Sequence, residues 1–264
     1  QFVVAWLIDR TKDPMVPAWY QIAANLAAIA GNFDMQERHV NMTNYPVLKD
    51  QEKTGKYRII TWPTFRGDVH RTDETGTSSL TASTGDRLAG VTVLKDGRIA
   101  ACSFDQDRVW VIDSNGTPSV LASGVDGANF VTQERVRGRI FVSATIAGTI
   151  VDVTSGVPVV VAGNLQFPNG LAIGKDGGRR YLYVAETIKH QVQRIFLNSD
   201  GTLGAAEVYA TGLLLADGLA FDRRGNLLVV GFGILSVVDP ETRVVTQVAG
   251  DALPLNWPSN IAFG

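Results

Sequence analysis

A chain of 264 residues with 45% hydrophobic side chains is long enough to bury a large core, in one domain or two. Its 24 Lys and Arg against 26 Asp and Glu, a formal charge of −2 with no long run of one sign, leave no electrostatic footprint for nucleic acid or an anionic membrane and point to a small-molecule or protein partner. One cysteine, Cys102, excludes an internal disulfide framework and any multi-cysteine metal site, and leaves the compartment, secreted or cytoplasmic, open.

The first element in chain order is QFVVAWLI, residues 1–8, stopped by Asp9 and Arg10. It is about a third of a membrane span and reads as a buried strand, with the remnant of a signal-peptide core as the other reading. VPAWYQIAANLAAIAG, 16–31, predicts a helix, with Pro17 near its first turn and Gly31 as its stop. Being apolar nearly all round, that helix is expected to cap one end of the domain, with membrane association the weaker option. MQERHVNM, 35–42, is a further strand candidate, and residues 1–43 together form an N-terminal extension ahead of a domain at 44–264. Asn41 and Asn115 open Asn-x-Thr sequons, acceptors for glycans only if the protein is secreted from a eukaryotic cell.

From there a unit recurs: a short strand, a turn built on Asp-Gly, Gly-Gly or Arg-Gly, then further strands. It is plain in LAGVTVLKDGRIAACSFDQDRVWVID from Leu88, ANFVTQERVRGRIFVSATIAGTIVDV from Ala128, PNGLAIGKDGGRRYLYVAETIKHQVQRIF from Pro168 and ADGLAFDRRGNLLVVGFGILSVVD from Ala216. It is fainter in the run from Asn44 and in PSNIAFG from Pro258. One equivalent position per copy gives 44, 89, 129, 169, 217 and 259, at intervals of 45, 40, 40, 48 and 42. Units of this size with about four strands and no intervening helix predict an all-β, six-bladed β-propeller, because a sheet apolar on both faces is buried only by packing blades in a ring. A β-sandwich, the main rival, does not explain the period. Only five residues follow Ser259, so the sixth blade is expected to be completed by N-terminal strands, or the chain is a piece of a longer one.

Residues at one register of every blade converge on the propeller axis. The occupants are Asn44, Ala89, Asn129, Asn169, Asp217 and Ser259. Four of them offer amide or carboxylate oxygen, the donor chemistry that Ca²⁺ prefers and thiolate-loving metals do not. Against this stands the plainer reading that Asn and Asp beside Gly only shape turns.

The run FPNGLAIGKDGGRRYLYVAETIKHQVQRIFLNSDGTLGAAEVYATGLLLADGLAFDRRGNLLVV, with its Pro-Asn-Gly strand, Asp-Gly-Thr-Leu-Gly hairpin and following Asp-Gly strand in order, resembles the SMP-30/gluconolactonase/strictosidine synthase-like (LRE-like) six-bladed propellers. The likeness covers residues 88–264, is weaker over 44–87 and is absent from 1–43. It implies a calcium-dependent lactonase or esterase with a divalent cation on the axis, held by a Glu of the first blade, Asn residues of the third and fourth and an Asp of the fifth. Carried over by position, those residues are Asn129, Asn169 and Asp217, while NYPVL puts Asn44 where the Glu belongs. The implied activity is metal-dependent hydrolysis of a small lactone or ester, with Ca²⁺ as cofactor and Asp217 also the candidate proton acceptor. The Asn44 substitution keeps a non-catalytic ligand- or protein-binding propeller open, and a strictosidine synthase-like or lyase activity shares the fold.

Other candidates are thin. His39, His70 and His190 lie off the common register, and His190 is expected at a blade surface. No nucleophile elbow, P-loop, His-Glu-x-x-His or Cys-x-x-Cys occurs. Cys102 in RIAACSF reads as a buried strand residue, and Trp6, Trp19, Trp62 and Trp110 as packing. Trp257, also read as packing, has a pocket-lining alternative beside Pro258.

Overall fold

The computed structural model describes residues 67–72, 78–231 and 234–249. They belong to one compact unit, Asn41–Gly264. The expected helix at 16–31, the strands at 1–8 and 35–42, Asn41, Asn44, His39, Ser259 and the tryptophans other than Trp110 lie outside the described residues.

Each plain copy of the repeat folds into an antiparallel four-stranded sheet. The Leu88 blade contains β3 (Leu88–Val93), β4 (Ile99–Ser103), β5 (Arg108–Ile112) and β6 (Pro118–Ser123). The Ala128 blade contains β7 (Ala128–Glu134), β8 (Arg139–Ala144), β9 (Thr149–Asp152) and β10 (Val159–Ala162). The Pro168 blade follows as β11 (Pro168–Asp176), β12 (Arg179–Glu186), β13 (Gln191–Leu197) and β14 (Leu203–Thr211). The Ala216 blade closes the series with β15 (Ala216–Phe221), β16 (Leu227–Gly231), β17 (Ile234–Val238) and β18 (Val245–Ala249). Ahead of them β1 (Asp68–Thr72), at the end of the Asn44 run, pairs with β2 (Ser78–Ser83), a strand between that run and the Leu88 unit that the sequence reading did not single out. The fold is thus an all-β propeller with no helix among the described residues. They form four complete blades rather than the six expected, because the copies opening at Asn44 and Pro258 begin outside them.

Carboxylates shape the hairpins. Asp113, Asp222 and Asp239 each accept backbone N–H groups two and three or four residues ahead, at 2.8 to 2.9 Å. Such local bonds compete with strand pairing and turn the chain at the positions where the sequence repeats its Asp.

The blades share their cores. Along β4, Ala100 and Cys102 face the core packed with the Ala128 blade, while Ile99 and Ala101 face the one packed with β1 and β2. Along β8, Ile140, Val142 and Ala144 join the first of these and Phe141 the next. Along β12, Leu182 and Val184 look back to the Ala128 blade and Tyr181, Tyr183 and Ala185 forward to the Ala216 blade. The period of two that sends alternate side chains to opposite faces fills one apolar layer between each pair of neighbours. Each large aliphatic side chain so buried contributes about 1.5–3 kcal/mol. The innermost strands β3, β7, β11 and β15 pack in succession, which brings their N-terminal ends together.

Candidate active site on the propeller axis

Ala89, Asn129, Asn169 and Asp217 each occupy the second position of an innermost strand. At each of them the pairing with the neighbouring strand slips by one residue: Leu88 and Val91 face Ser103 and Ala101, Ala128 and Phe130 face Ala144 and Ser143, Pro168 and Leu171 face Glu186 and Val184, Ala216 and Leu219 face Gly231 and Val229. A bulge of this kind re-aims a side chain and is common beside active sites. The glycine that follows the register residue serves close approach. A Cβ on Gly90 would stand 2.5 Å from the Asn129 carbonyl oxygen, and one on Gly170 would stand 2.1 Å from that of Asp217. Neighbouring inner strands therefore press on each other at the register residues.

Hydroxyl bonds between blades hold this arrangement. Thr145, just after β8, donates through Oγ1 to the Pro168 carbonyl at 2.6 Å, and Thr187, just after β12, donates to the Ala216 carbonyl at 2.7 Å. Each bond fixes the residue immediately before an axial side chain of the next blade. Thr187 also lies 3.4 Å from Asn169 Nδ2. Its single hydroxyl proton goes to Ala216, so toward Asn169 it can only accept. That sets the amide with Nδ2 on Thr187 and leaves Oδ1 without a partner among the described residues. Asn169 is buried and Asn129 half-buried.

Asp217 finds neither an ion-pair nor a hydrogen-bond partner among the described residues. Protein surrounds most of its carboxyl, and burial pushes its pKa up to about 7. The residue keeps partial contact with solvent.

Two amide oxygens and one unpartnered carboxylate suit a hard cation that takes oxygen ligands. Among the described residues no three His, Cys, Asp or Glu side chains are grouped so as to hold a metal ion. Ala89 offers no donor.

One sequence reading changes here. His190 is not simply a surface residue: it lies half-buried in the β12–β13 turn, and its Nδ1 accepts the Leu215 N–H at 2.9 Å, two residues from Asp217. Thr145 and Thr187 went unrecognised, although both directly follow the second strand of their blades. Cys102 is fully buried with its thiol pKa raised by burial, as a packing residue should be. Trp110 packs beside the β1–β2 core and donates Nε1–H to Asp86 at 2.9 Å.

Solved structures similar to the chain include a gluconolactonase from Xanthomonas campestris, with 18% identity, a TM-score of 0.64 and coverage of 78% of this chain and 75% of that one. A luciferin-regenerating enzyme matches with 14% identity and a TM-score of 0.63 over 79% of this chain and 80% of that one. A virginiamycin B lyase from Staphylococcus aureus matches with 13% identity and a TM-score of 0.59 over 78% and 73%. At these identities the likeness establishes the propeller fold, which hosts more than one chemistry. No curated protein matches the chain significantly in sequence. The family model of the SMP-30/gluconolactonase/LRE-like region matches residues 66–264, so the repeat, the bulged axial register and this match together establish that the chain belongs to the SMP-30/gluconolactonase/LRE-like family.

Proposed function

We propose that the protein is a metal-dependent hydrolase of a small lactone or ester, with the carbonyl to be attacked bound on the propeller axis. The observation that carries this reading is an Asp217 carboxylate and an Asn169 oxygen that both lack a partner among the described residues, at the same register of neighbouring inner strands that approach closely at Gly170. In this reading the registers at Asn44 and Ser259 complete a six-bladed ring. Asn129, Asn169 and Asp217, with Asn44 from the remaining blade, would hold a divalent cation, Ca²⁺ by the hardness of the donors. When bound, such a cation supplies Lewis-acid polarisation of the ester carbonyl.

The chain's own groups divide the rest of the work. Asn129 and Asn169 orient without titrating. Asp217, poised by burial near neutral pH, can take the proton of the attacking water. A cation in contact would draw its pKa down again, so ligation and proton transfer compete at this one carboxylate.

The test is mass-spectrometric detection of a divalent ion in purified protein, followed by lactone hydrolysis with and without chelator. Chelator-sensitive turnover is expected, with Asp217→Ala lowering kcat/KM at least a hundredfold. Full activity in that variant, or absence of both metal and chelator-sensitive turnover, removes the proposal. A second reading, a propeller that binds without catalysing, is favoured by Ala89 and Asn44, which deprive the axis of a second carboxylate.

A further inference from the structure

Three equivalent residues lead into the axial strands with left-handed backbone: Gly127 at φ 68°, Phe167 at 57° and Leu215 at 46°. Glycine adopts this conformation freely, whereas bulky residues are outliers there. Strain retained at the same position in two blades points to a use for the side chains. Both are half-buried, and neither joins an apolar cluster formed among the described residues. Phe167 precedes Asn169 by two residues, and Leu215 precedes Asp217 by two.

The β12–β13 turn ties them together. Thr187 N–H donates to the Phe167 carbonyl at 3.2 Å, and the Leu215 N–H donates to His190 of the same turn. Between those anchors lies Ile188, half-buried, and beside Leu215 is Leu214, 37% exposed. On the Ala128 blade, where the left-handed residue is glycine, Ile146 takes the space instead: its Cγ1 lies 2.3 Å from where a Gly127 Cβ would be. The one cation of this turn, Lys189, is drawn aside to Glu186 at 3.3 Å. In three blades, then, apolar residues stand close along the chain to the polar axial donors or on the turn bonded to the segment that leads into them.

We infer that Phe167 and Leu215 are specificity-determining residues that hold the apolar arm of the substrate, so that the ester or lactone taken at the axis bears an alkyl or aryl chain rather than a row of hydroxyls. The inference rests on the axial site described above for its polar end. A polyhydroxylated lactone would leave its hydroxyls facing side chains that cannot pair with them, which is the costly arrangement.

The test uses the full chain with Ca²⁺ and a series from γ-butyrolactone to γ-decalactone, with glucono-δ-lactone as the hydroxylated comparator. Dissociation constants come from calorimetry and KM values from turnover. Affinity is expected to rise about fourfold per methylene over the first few additions, with glucono-δ-lactone the weakest ligand. Phe167→Gly and Leu215→Gly, which suit the backbone at those positions, are expected to flatten that dependence while the melting temperature stays level or rises. An unchanged chain-length dependence in the double variant, tighter binding of glucono-δ-lactone, no binding of any lactone, or a clearly lowered melting temperature would each overturn the inference. If lactones bind with the expected dependence but none is turned over, the hydrolase reading falls and this one stands.

Discussion

At Asp217 the cost of burial becomes a pH effect. Its folded pKa is about 7, above the value near 4 of an unfolded carboxylate. Between those values the folded, metal-free protein keeps a proton that the unfolded chain has released, so stability falls as pH rises across that window and is level above it. Asp217→Asn removes the titration. In chelator-treated protein the variant is expected to match the parent at pH 4 and to exceed it at pH 8, by on the order of 2 kcal/mol once the open side of the carboxyl is allowed for. Thermal unfolding at the two pH values checks it, and equal differences at both would refute the assignment. At this scale the sequence placed Asn129, Asn169 and Asp217 at one strand register, as the inner strands bear out, because a repeat exposes its own register. It concealed Thr145, Thr187, Phe167 and Leu215. Their roles come from a hydroxyl bond to the next blade and from a backbone angle, neither of which leaves a compositional mark.

Among the elements, the bulges at the starts of β3, β7, β11 and β15 matter most, since they put the register residues where neighbouring strands press together. Gly170 is the sharpest test. Gly170→Ala sets a methyl 2.1 Å from the backbone of Asp217, and the strand must shift at the site itself. A loss of about 3 kcal/mol or more is expected, by denaturant titration. Gly177→Ala is the companion, for its Cβ meets nothing within 4 Å and only its φ of 54° opposes it, so about 1 kcal/mol is expected. Similar costs at the two positions would mean that close packing of inner strands is not what Gly170 provides. Strands and hairpins were legible through alternation and through Asp-Gly and Gly-Gly turns. The bulges were not, since an extra residue in a strand changes neither its hydrophobicity nor its length noticeably.

Over the whole molecule, charged side chains fasten neighbouring blades at the far end of the inner strands from the candidate site. Asp176, at the end of β11, binds Arg194 of its own blade and Arg243 of the next. Arg194 also reaches Glu207 at 2.6 Å and lies 4.3 Å over the Tyr181 ring, and Arg243 lies 4.2 Å over Tyr209. The buried Glu134 likewise receives Arg180 from the Pro168 blade. Burial pushes the pKa of Asp176 up, but the bonds from Arg194 and Arg243 outweigh it and hold the carboxyl below its usual range. Its contribution is therefore complete above the unfolded carboxylate pKa and lost as pH falls through the lower folded value. Asp176→Asn is expected to cost about 1–3 kcal/mol at pH 7, a difference that shrinks toward zero in acid. A cost that persisted undiminished at pH 2 would assign it to packing. The repeat period marked the four described blades in the sequence, but these fasteners join residues as far apart as 67 positions, and nothing along the chain announces such a pair.

The sharing of cores by alternate residues of β4, β8 and β12 bears on modularity. A sequence repeat suggests interchangeable parts, yet the blades from Leu88, Ala128 and Pro168 each have one apolar face completed by the sheet before and the other by the sheet after. The autonomous packing unit is the seam between two sheets, offset from the repeat by half a period. Grafting or excising one blade would break two seams at once, so the boundary at which this fold can be recombined runs through the middle of a sheet and not through the loops that separate its copies.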